Sequence, residues 1–151
     1  MQEPIRQVWQ DDWRSQVVAQ GLHEIYPNWF FYPTPPFYFM DYHIQHRRSN
    51  GRENYIGDLE VKWLNQPASR PVKFPFQKLQ KMLMTSPYND NAYHRICFRF
   101  NDGLLLIPAV QLGGIIPEWT TRHDTGEYDL NVIFRVENYS DYWIEKVVYD
   151  K

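Results

Sequence analysis

A chain of 151 residues is long enough to bury the core of one domain, and 43% hydrophobic and 17% aromatic residues exclude a disordered protein. The chain has no apolar run of about 18 residues, and its first residues lack the features of a secretion signal, so we expect no membrane partner. The lone Cys97 excludes an internal disulfide, and we expect one cytoplasmic domain over residues 1–151. The net charge of -2 argues against a strongly basic DNA-binding domain, although basic groups can cluster locally in a chain of low net charge.

The first half of the chain predicts one helix and a hairpin. Apolar residues recur at helical spacing up to Pro27, which predicts a helix over Asp11–Ile25. After a proline-rich connector, aromatic and β-branched residues predict two strands joined by a turn at Asn50-Gly51, and these strands are Phe37–Ile44 and Tyr55–Leu64.

The second half predicts a short helix and four strands. The helix is expected over about Pro75–Thr85, where apolar residues share one face. The strands are expected at Tyr93–Phe100, Leu104–Ile107, Leu130–Val136 and Tyr142–Tyr149, with the last two as a closing hairpin. This order of elements predicts an α/β layer fold, of the mixed or α+β kind.

The segment Gly57–Trp63 carries the most informative pattern in the chain. Alternate residues of a strand share a face, so Asp58, Glu60 and Lys62 point together while the apolar residues between them point to the other face. A solvent-exposed charged strand face has the same pattern, and short motifs match readily by chance. Further residues are therefore needed to favour a site.

Asp41 supplies that further residue. The midpoint of positions 41 and 60 falls on the Asn50-Gly51 turn, so a symmetric hairpin places Asp41 almost opposite Glu60. Two carboxylates at that separation repel each other unless a cation lies between them. The apolar neighbours of Asp41 make an unpaired charge there costly, and Lys62 adds an ammonium group able to orient a water molecule. Asp58, which shares the face of Glu60, is the rival metal ligand.

Asp41 followed by Glu60-Val61-Lys62 resembles the signature of the PD-(D/E)xK nuclease superfamily, which includes restriction enzymes, resolvases, phage exonucleases and homing endonucleases. The resemblance covers about residues 11–108, and Met40 stands where the signature has proline. It implies a restriction-endonuclease-like core of helix, three-stranded meander, helix and strand. The expected architecture is thus a mixed central sheet flanked by helices, with extra strands at the C-terminal end.

The resemblance also implies roles for individual residues. Asp41 and Glu60 would bind Mg²⁺, or Mn²⁺ in its place, with the Val61 carbonyl as a further ligand and Lys62 assisting the attacking water. An acid on the first helix, for which Glu24 is the best match, would contribute to catalysis. A polar residue on the second helix, Gln77 or Lys78, would complete the set.

Basic residues cluster around the predicted turn, which favours a nucleic-acid contact as readily as a solvated turn. The residues that we expect at this contact, with one lysine of the second helix, are His46, Arg47, Arg48, Arg52 and Lys78. The expected partner is double-stranded or branched DNA. Because one copy carries one metal site, double-strand cleavage would need a homodimer or higher homo-oligomer.

The sequence therefore predicts a metal-dependent DNA endonuclease, of a kind suited to a phage or mobile element. A non-catalytic structural or assembly protein that retains the nuclease fold is the alternative, and it predicts no metal affinity. A third interpretation, a β-rich module that stacks single-stranded bases on aromatic side chains, predicts an exposed line of Trp or Tyr residues.

Overall fold

The computed structural model describes residues 12–86, 92–122 and 124–145. Its two α-helices are α1 (Asp12–Ile25) and α2 (Phe76–Thr85), and two 3-10 helices cover Ala109–Leu112 and Val136–Tyr142. The strands are β1 (Trp29–Pro33), β2 (Tyr42–Arg47), β3 (Glu53–Trp63), β4 (Val72–Pro75), β5 (Arg95–Phe100), β6 (Gly103–Pro108), β7 (Glu118–Thr121), β8 (Tyr128–Phe134) and β9 (Trp143–Ile144). The predicted mixed α/β class is confirmed.

The central sheet has six strands in the order β1-β2-β3-β5-β6-β9. Strands β1, β2 and β3 form an antiparallel meander, β3 and β5 are parallel, and β5, β6 and β9 are again antiparallel. A parallel pair needs a long crossover, and the chain between β3 and β5 supplies it with β4 and α2. The central sheet is therefore mixed, as predicted.

The two faces of this sheet pack against different partners. Helix α1 covers one face, where Val18 and Leu22 pack with Ile44, Leu59 and residues of β5 and β6. Helix α2 and a second sheet, of order β4-β8-β7, cover part of the other face. Because β5 and β6 lie under both layers, almost all of their side chains are buried, which explains their continuous apolar sequence. Neither helix of the described part is long and apolar enough to cross a bilayer.

Strand β3 alternates between these faces as its sequence predicts. Leu59, Val61 and Trp63 belong to the apolar cluster under α1. Asp58, Glu60 and Lys62 therefore point to the face that α2 partly covers. This alternation fixes the side of the sheet on which any carboxylate site must lie.

A β-bulge in β3 sets the register of the hairpin. The turn at Asn50-Gly51 forms as predicted, and Arg47 pairs with Glu53 beside it. Further along, Gln45 pairs with Tyr55 but Ile44 pairs with Gly57, so Ile56 is the additional residue. The carbonyl of Ile56 accepts hydrogen bonds from the Tyr93 N–H at 3.0 Å and the Arg95 guanidinium at 2.7 Å. This bulge shifts the pairing so that Tyr42 lies opposite Leu59.

Several boundaries differ from the sequence predictions. Residues 37–41 form a bent loop instead of the start of a strand, because Thr34 closes the loop onto the carbonyls of Met40 and Asp41. The strand at Trp29–Pro33 and the short strands β4 and β7 were not predicted. The expected closing hairpin is wrong, since β8 pairs with β4 and β7 whereas β9 pairs with β6. Asp11 and the end of the last predicted strand lie outside the described residues.

Gly57 provides a test of the bulge. Its φ is +117°, and a Cβ there would lie 2.0 Å from the carbonyl oxygen of Tyr93. We expect Gly57→Ala to lower the free energy of unfolding by on the order of 3 kcal/mol, because both the backbone conformation and the contact oppose a side chain. Urea unfolding measures this loss. In the control, Gly114→Ala, the new Cβ meets nothing within 4 Å, so the free energy of unfolding should change by no more than about 0.5 kcal/mol. Equal losses in both variants would contradict the account.

Candidate metal site

Asp41 is held against β3 by backbone hydrogen bonds. It lies directly before β2, and its N–H donates to the Leu59 carbonyl at 2.9 Å. Its Oδ2 accepts a hydrogen bond from the Val61 N–H at 2.8 Å. Because Tyr42 pairs with Leu59, the preceding Asp41 lies beside Glu60. The predicted juxtaposition of residues 41 and 60 is present.

The two carboxyl groups, of buried Glu60 and half-buried Asp41, form an electrostatically unfavourable pair. Burial, followed by the negative charge of Asp41, raises the pKa of Glu60 to about 7. Burial likewise raises the pKa of Asp41, although the Val61 N–H, the charge of Lys78 and a side-chain hydrogen bond with Glu60 oppose the rise. The Oε1 atom of Glu60 is buried, and no N–H or O–H donor of the described residues lies within hydrogen-bond distance of it. A buried carboxylate oxygen without a donor is costly, and a cation would relieve both this cost and the repulsion.

Two lysines stand beside this pair. Lys78 of α2 reaches down to the sheet, and its Nζ lies 2.7 Å from Oε2 of Glu60. Lys62 has no ion-pair partner within the described ranges, yet its charge lowers the pKa of Glu60. Lys62 also lines a cleft of about 450 Å³ between the central and second sheets, with Lys73, Thr120 and Arg122 among the other lining residues.

The donor set suits a hard divalent cation that retains water ligands. In the residues that the structure describes, no three or more His, Cys, Asp or Glu side chains are grouped to hold a metal ion. Asp41 and Glu60 supply two carboxylates. The Val61 carbonyl points from the same edge of β3 as the Val61 N–H, which donates to Asp41. Mg²⁺ is commonly held by only one or two carboxylates, with water and substrate phosphate completing its shell.

Asp58 shares the face of Glu60 but is saturated by other donors. Its Oδ1 accepts hydrogen bonds from His43 Nδ1 and the Tyr55 hydroxyl, both at 2.7 Å, and its Oδ2 accepts one from the Tyr38 hydroxyl at 2.8 Å. The side chain is fully buried, and its N–H donates to His94 Nδ1. Asp58 is therefore not available as a metal ligand beside Asp41 and Glu60, because three donors already occupy its oxygens.

The remaining predicted catalytic residues are divided between the two sides of the sheet. Glu24 is exposed at the end of α1, on the face opposite Asp41 and Glu60, so the structure does not bring it to the site. Gln77 is exposed on α2. Its neighbour Lys78 is the residue of α2 that reaches Glu60.

The basic hairpin tip is only partly free to contact a nucleic acid. Arg47 donates to Glu53 at 3.0 and 2.6 Å and lies 3.7 Å from the centroid of Phe30. Arg48 and Arg52 are exposed, and His46 lines a wide groove of about 830 Å³ beside them. Lys78 is predicted as a nucleic-acid contact, but its side chain points toward the buried carboxylate of Glu60 and forms an ion pair with it.

The sequence did not identify the side chains outside the Glu60-Val61-Lys62 motif that contact its carboxylate and that of Asp58. Lys78 was one of two alternatives, and helical spacing alone does not decide which of two adjacent residues faces the sheet. The three donors on Asp58 come from a loop and two strands, and no local pattern links them. The convergence of these three donors on one buried aspartate is visible only in three dimensions.

The pairing of Lys78 with Glu60 can be tested by a double-mutant cycle. Lys78→Met should lower the free energy of unfolding by about 1–3 kcal/mol, because Glu60 is left buried beside Asp41 without its cation. The same change in a Glu60→Gln background should cost less than half as much. Chemical denaturation of the four proteins without divalent cations measures both values. An equal cost in the two backgrounds would show that Lys78 stabilises the protein through other contacts.

Comparison of the chain with protein-family models, curated proteins and solved structures gave no match in any of the three. The geometry of the described residues is therefore the basis for a functional assignment.

Proposed function

We propose that this protein is a Mg²⁺-dependent DNA endonuclease of the PD-(D/E)xK type. The observation that carries the proposal is the close pair of half-buried Asp41 and buried Glu60, in which no donor of the described residues reaches Glu60 Oε1. Carboxylates in ordinary structural positions are paired or solvated. Glu60 Oε1 is neither, although Lys78 contacts the other oxygen of the same carboxylate, and this fits a cation-binding role.

The order of elements around the site supports this proposal. Helix α1, the β1-β2-β3 meander, α2 and β5 follow one another as in the restriction-endonuclease-like core that the resemblance implies, with the short β4 inserted before α2. Asp41 precedes the second strand of the meander, and Glu60 and Lys62 lie on the third. Strands β6 and β9 extend the sheet beyond that core, and β7 and β8 belong to the second sheet.

The residues present fit a magnesium ion. Asp41 and Glu60 would hold it with the Val61 carbonyl, all three being oxygen donors of the kind that Mg²⁺ and Mn²⁺ prefer. When bound there, the ion supplies Lewis-acid polarisation of a phosphate and lowers the pKa of a coordinated water.

The side chains around the pair have separate tasks in phosphodiester hydrolysis. Asp41 is fixed by the Val61 N–H, so its carboxylate is oriented before substrate arrives. Lys62 points from the same face of β3 into the adjoining cleft, where its ammonium group can orient the attacking water and offset charge on the phosphate. Lys78 offsets the charge of Glu60 through Oε2, which would leave Oε1 available to a divalent cation. Cleavage of both strands of a duplex calls for two copies of this chain.

The same ion pair favours a second candidate function. Lys78 already gives Glu60 a cationic partner, which would suffice in a non-catalytic assembly protein with a nuclease-like core. That protein would bind no divalent cation, and Glu60→Ala would leave its function intact. Among the described residues, Glu60 Oε1 has no donor and Lys62 has no ion-pair partner, and both observations favour the nuclease because a purely structural ion pair requires neither.

Cleavage of DNA tests the proposal. We expect nicking or cutting of supercoiled plasmid and of branched oligonucleotides with Mg²⁺ or Mn²⁺, and loss of activity in EDTA. Asp41→Asn, Glu60→Gln and Lys62→Ala should each lower the cleavage rate by at least about 100-fold, because each removes a cation ligand or the ammonium group. Gel electrophoresis of time courses measures the rates.

Glu24→Gln is the matched control. It removes a carboxylate from the same chain, but from the exposed end of α1 on the opposite face, so its rate should match that of the unaltered protein. Equal activity in all five proteins, with folding verified by circular dichroism, would exclude the proposed site.

A further inference from the structure

Exposed rings occupy the part of the Asp41–Glu60 face that lies toward the hairpin. Tyr32 of β1 pairs with His43 of β2, and His43 pairs with Asp58 of β3, so these residues lie in one row across the meander. Tyr38 and Tyr55 flank this row. Tyr32, Tyr38 and Tyr55 are 41%, 37% and 40% exposed, and the side chain of His43 is 38% exposed. We call these four residues the ring platform.

One buried carboxylate holds the platform in place. Asp58 accepts hydrogen bonds from His43, Tyr55 and Tyr38. Tyr32 is held separately, because its hydroxyl donates to the two carboxylate oxygens of Glu53 at 3.0 and 3.1 Å. The ring centroids of Tyr38 and His43 lie 5.6 Å apart, and those of His43 and Tyr55 lie 6.1 Å apart. Rings that are fixed by their polar ends and exposed on their apolar sides lose little conformational entropy when a flat partner stacks on them.

The platform lies between the candidate metal site and the basic hairpin tip. At one end it adjoins the candidate metal site, because His43 follows Asp41 by two residues on the same face. At the other end lies the hairpin tip, where Arg48 and Arg52 are exposed. Glu60 lies seven residues beyond Glu53 in β3, which corresponds to roughly 23 Å at about 3.3 Å per residue. A strand of several nucleotides is long enough to cover this path.

We propose that the ring platform binds a single-stranded segment of DNA, stacking unpaired bases while the backbone runs from the Asp41–Glu60 site toward the hairpin tip. This inference rests on the proposed nuclease function and specifies its substrate as DNA with an unpaired strand at the cleavage site. Bases within a duplex are stacked on each other and offer no free faces, whereas unpaired bases stack on aromatic side chains with little regard to sequence. Positive side chains at the tip complement the phosphates.

Binding without cleavage tests the platform by itself. The probe is a fluorescein-labelled 20-nucleotide oligo-dT, compared with a labelled duplex of equal length, in EDTA and with the Glu60→Gln protein. Fluorescence anisotropy should show tighter binding of the single strand. Tyr38→Ala and Tyr55→Ala should each weaken that binding by about 5- to 100-fold, because each removes one stacking surface.

Matched variants separate stacking from folding. Tyr38→Phe and Tyr55→Phe keep the ring but lose the hydroxyl that donates to Asp58, so most of the affinity should remain. Tyr128→Ala removes a tyrosine that is 69% exposed on the second sheet, and binding should not change. Equal affinity in Tyr38→Ala, Tyr55→Ala and Tyr128→Ala, or tighter binding of the duplex, would overturn the proposal.

Failure of the platform and failure of the nuclease proposal give different results. If only the nuclease proposal is wrong, single-strand binding still depends on the rings but no substrate is cut in Mg²⁺. If only the platform is wrong, cleavage depends on Asp41 and Glu60 while Tyr38→Ala and Tyr55→Ala cut single-stranded and duplex DNA at unaltered rates.

Discussion

The repulsion between two buried carboxylates on adjacent strands is the constraint on which the site depends. Asp41 and Glu60 are brought side by side by the β2–β3 pairing, and burial makes their negative charges costlier. The protein offsets this cost with the Val61 N–H on one carboxylate and Lys78 on the other. One oxygen still lacks a partner, which leaves the arrangement incomplete as a structural ion pair and suited to a cation.

The surrounding fold serves to keep that pairing in register. The bulge at Ile56 moves Tyr42 opposite Leu59, and Tyr93 and Arg95 hold the bulge from the side of β5. Helix α1 buries the apolar side of β3, so its polar side must face α2 and the second sheet. The same hairpin carries the exposed rings beyond the site. One pair of strands thus positions the candidate cation ligands, the ring platform and the basic tip.

The sequence predicted the parts of this arrangement that depend on local pattern. Alternation in Gly57–Trp63 placed Glu60 and Lys62 on one face. The turn at Asn50-Gly51 by itself aligns Arg47 with Glu53, which would set Asp41 opposite Leu59, so the match with Glu60 also needs the bulge. The turn and the bulge both contribute to that register, and the bulge was not foreseen. The sequence predicts Asp58 as a rival ligand and Lys78 as a DNA contact, whereas the structure pairs both with groups that are distant in sequence. Loop closure by Thr34 likewise overrode the strand propensity of residues 37–41.

The position of a bound cation tests this account most directly. Crystals of the protein soaked in MnCl₂ and measured on either side of the manganese absorption edge locate the ion by its anomalous signal. The account predicts a peak within about 2.5 Å of oxygen atoms from both Asp41 and Glu60. A saturated crystal with no peak between these carboxylates would contradict it.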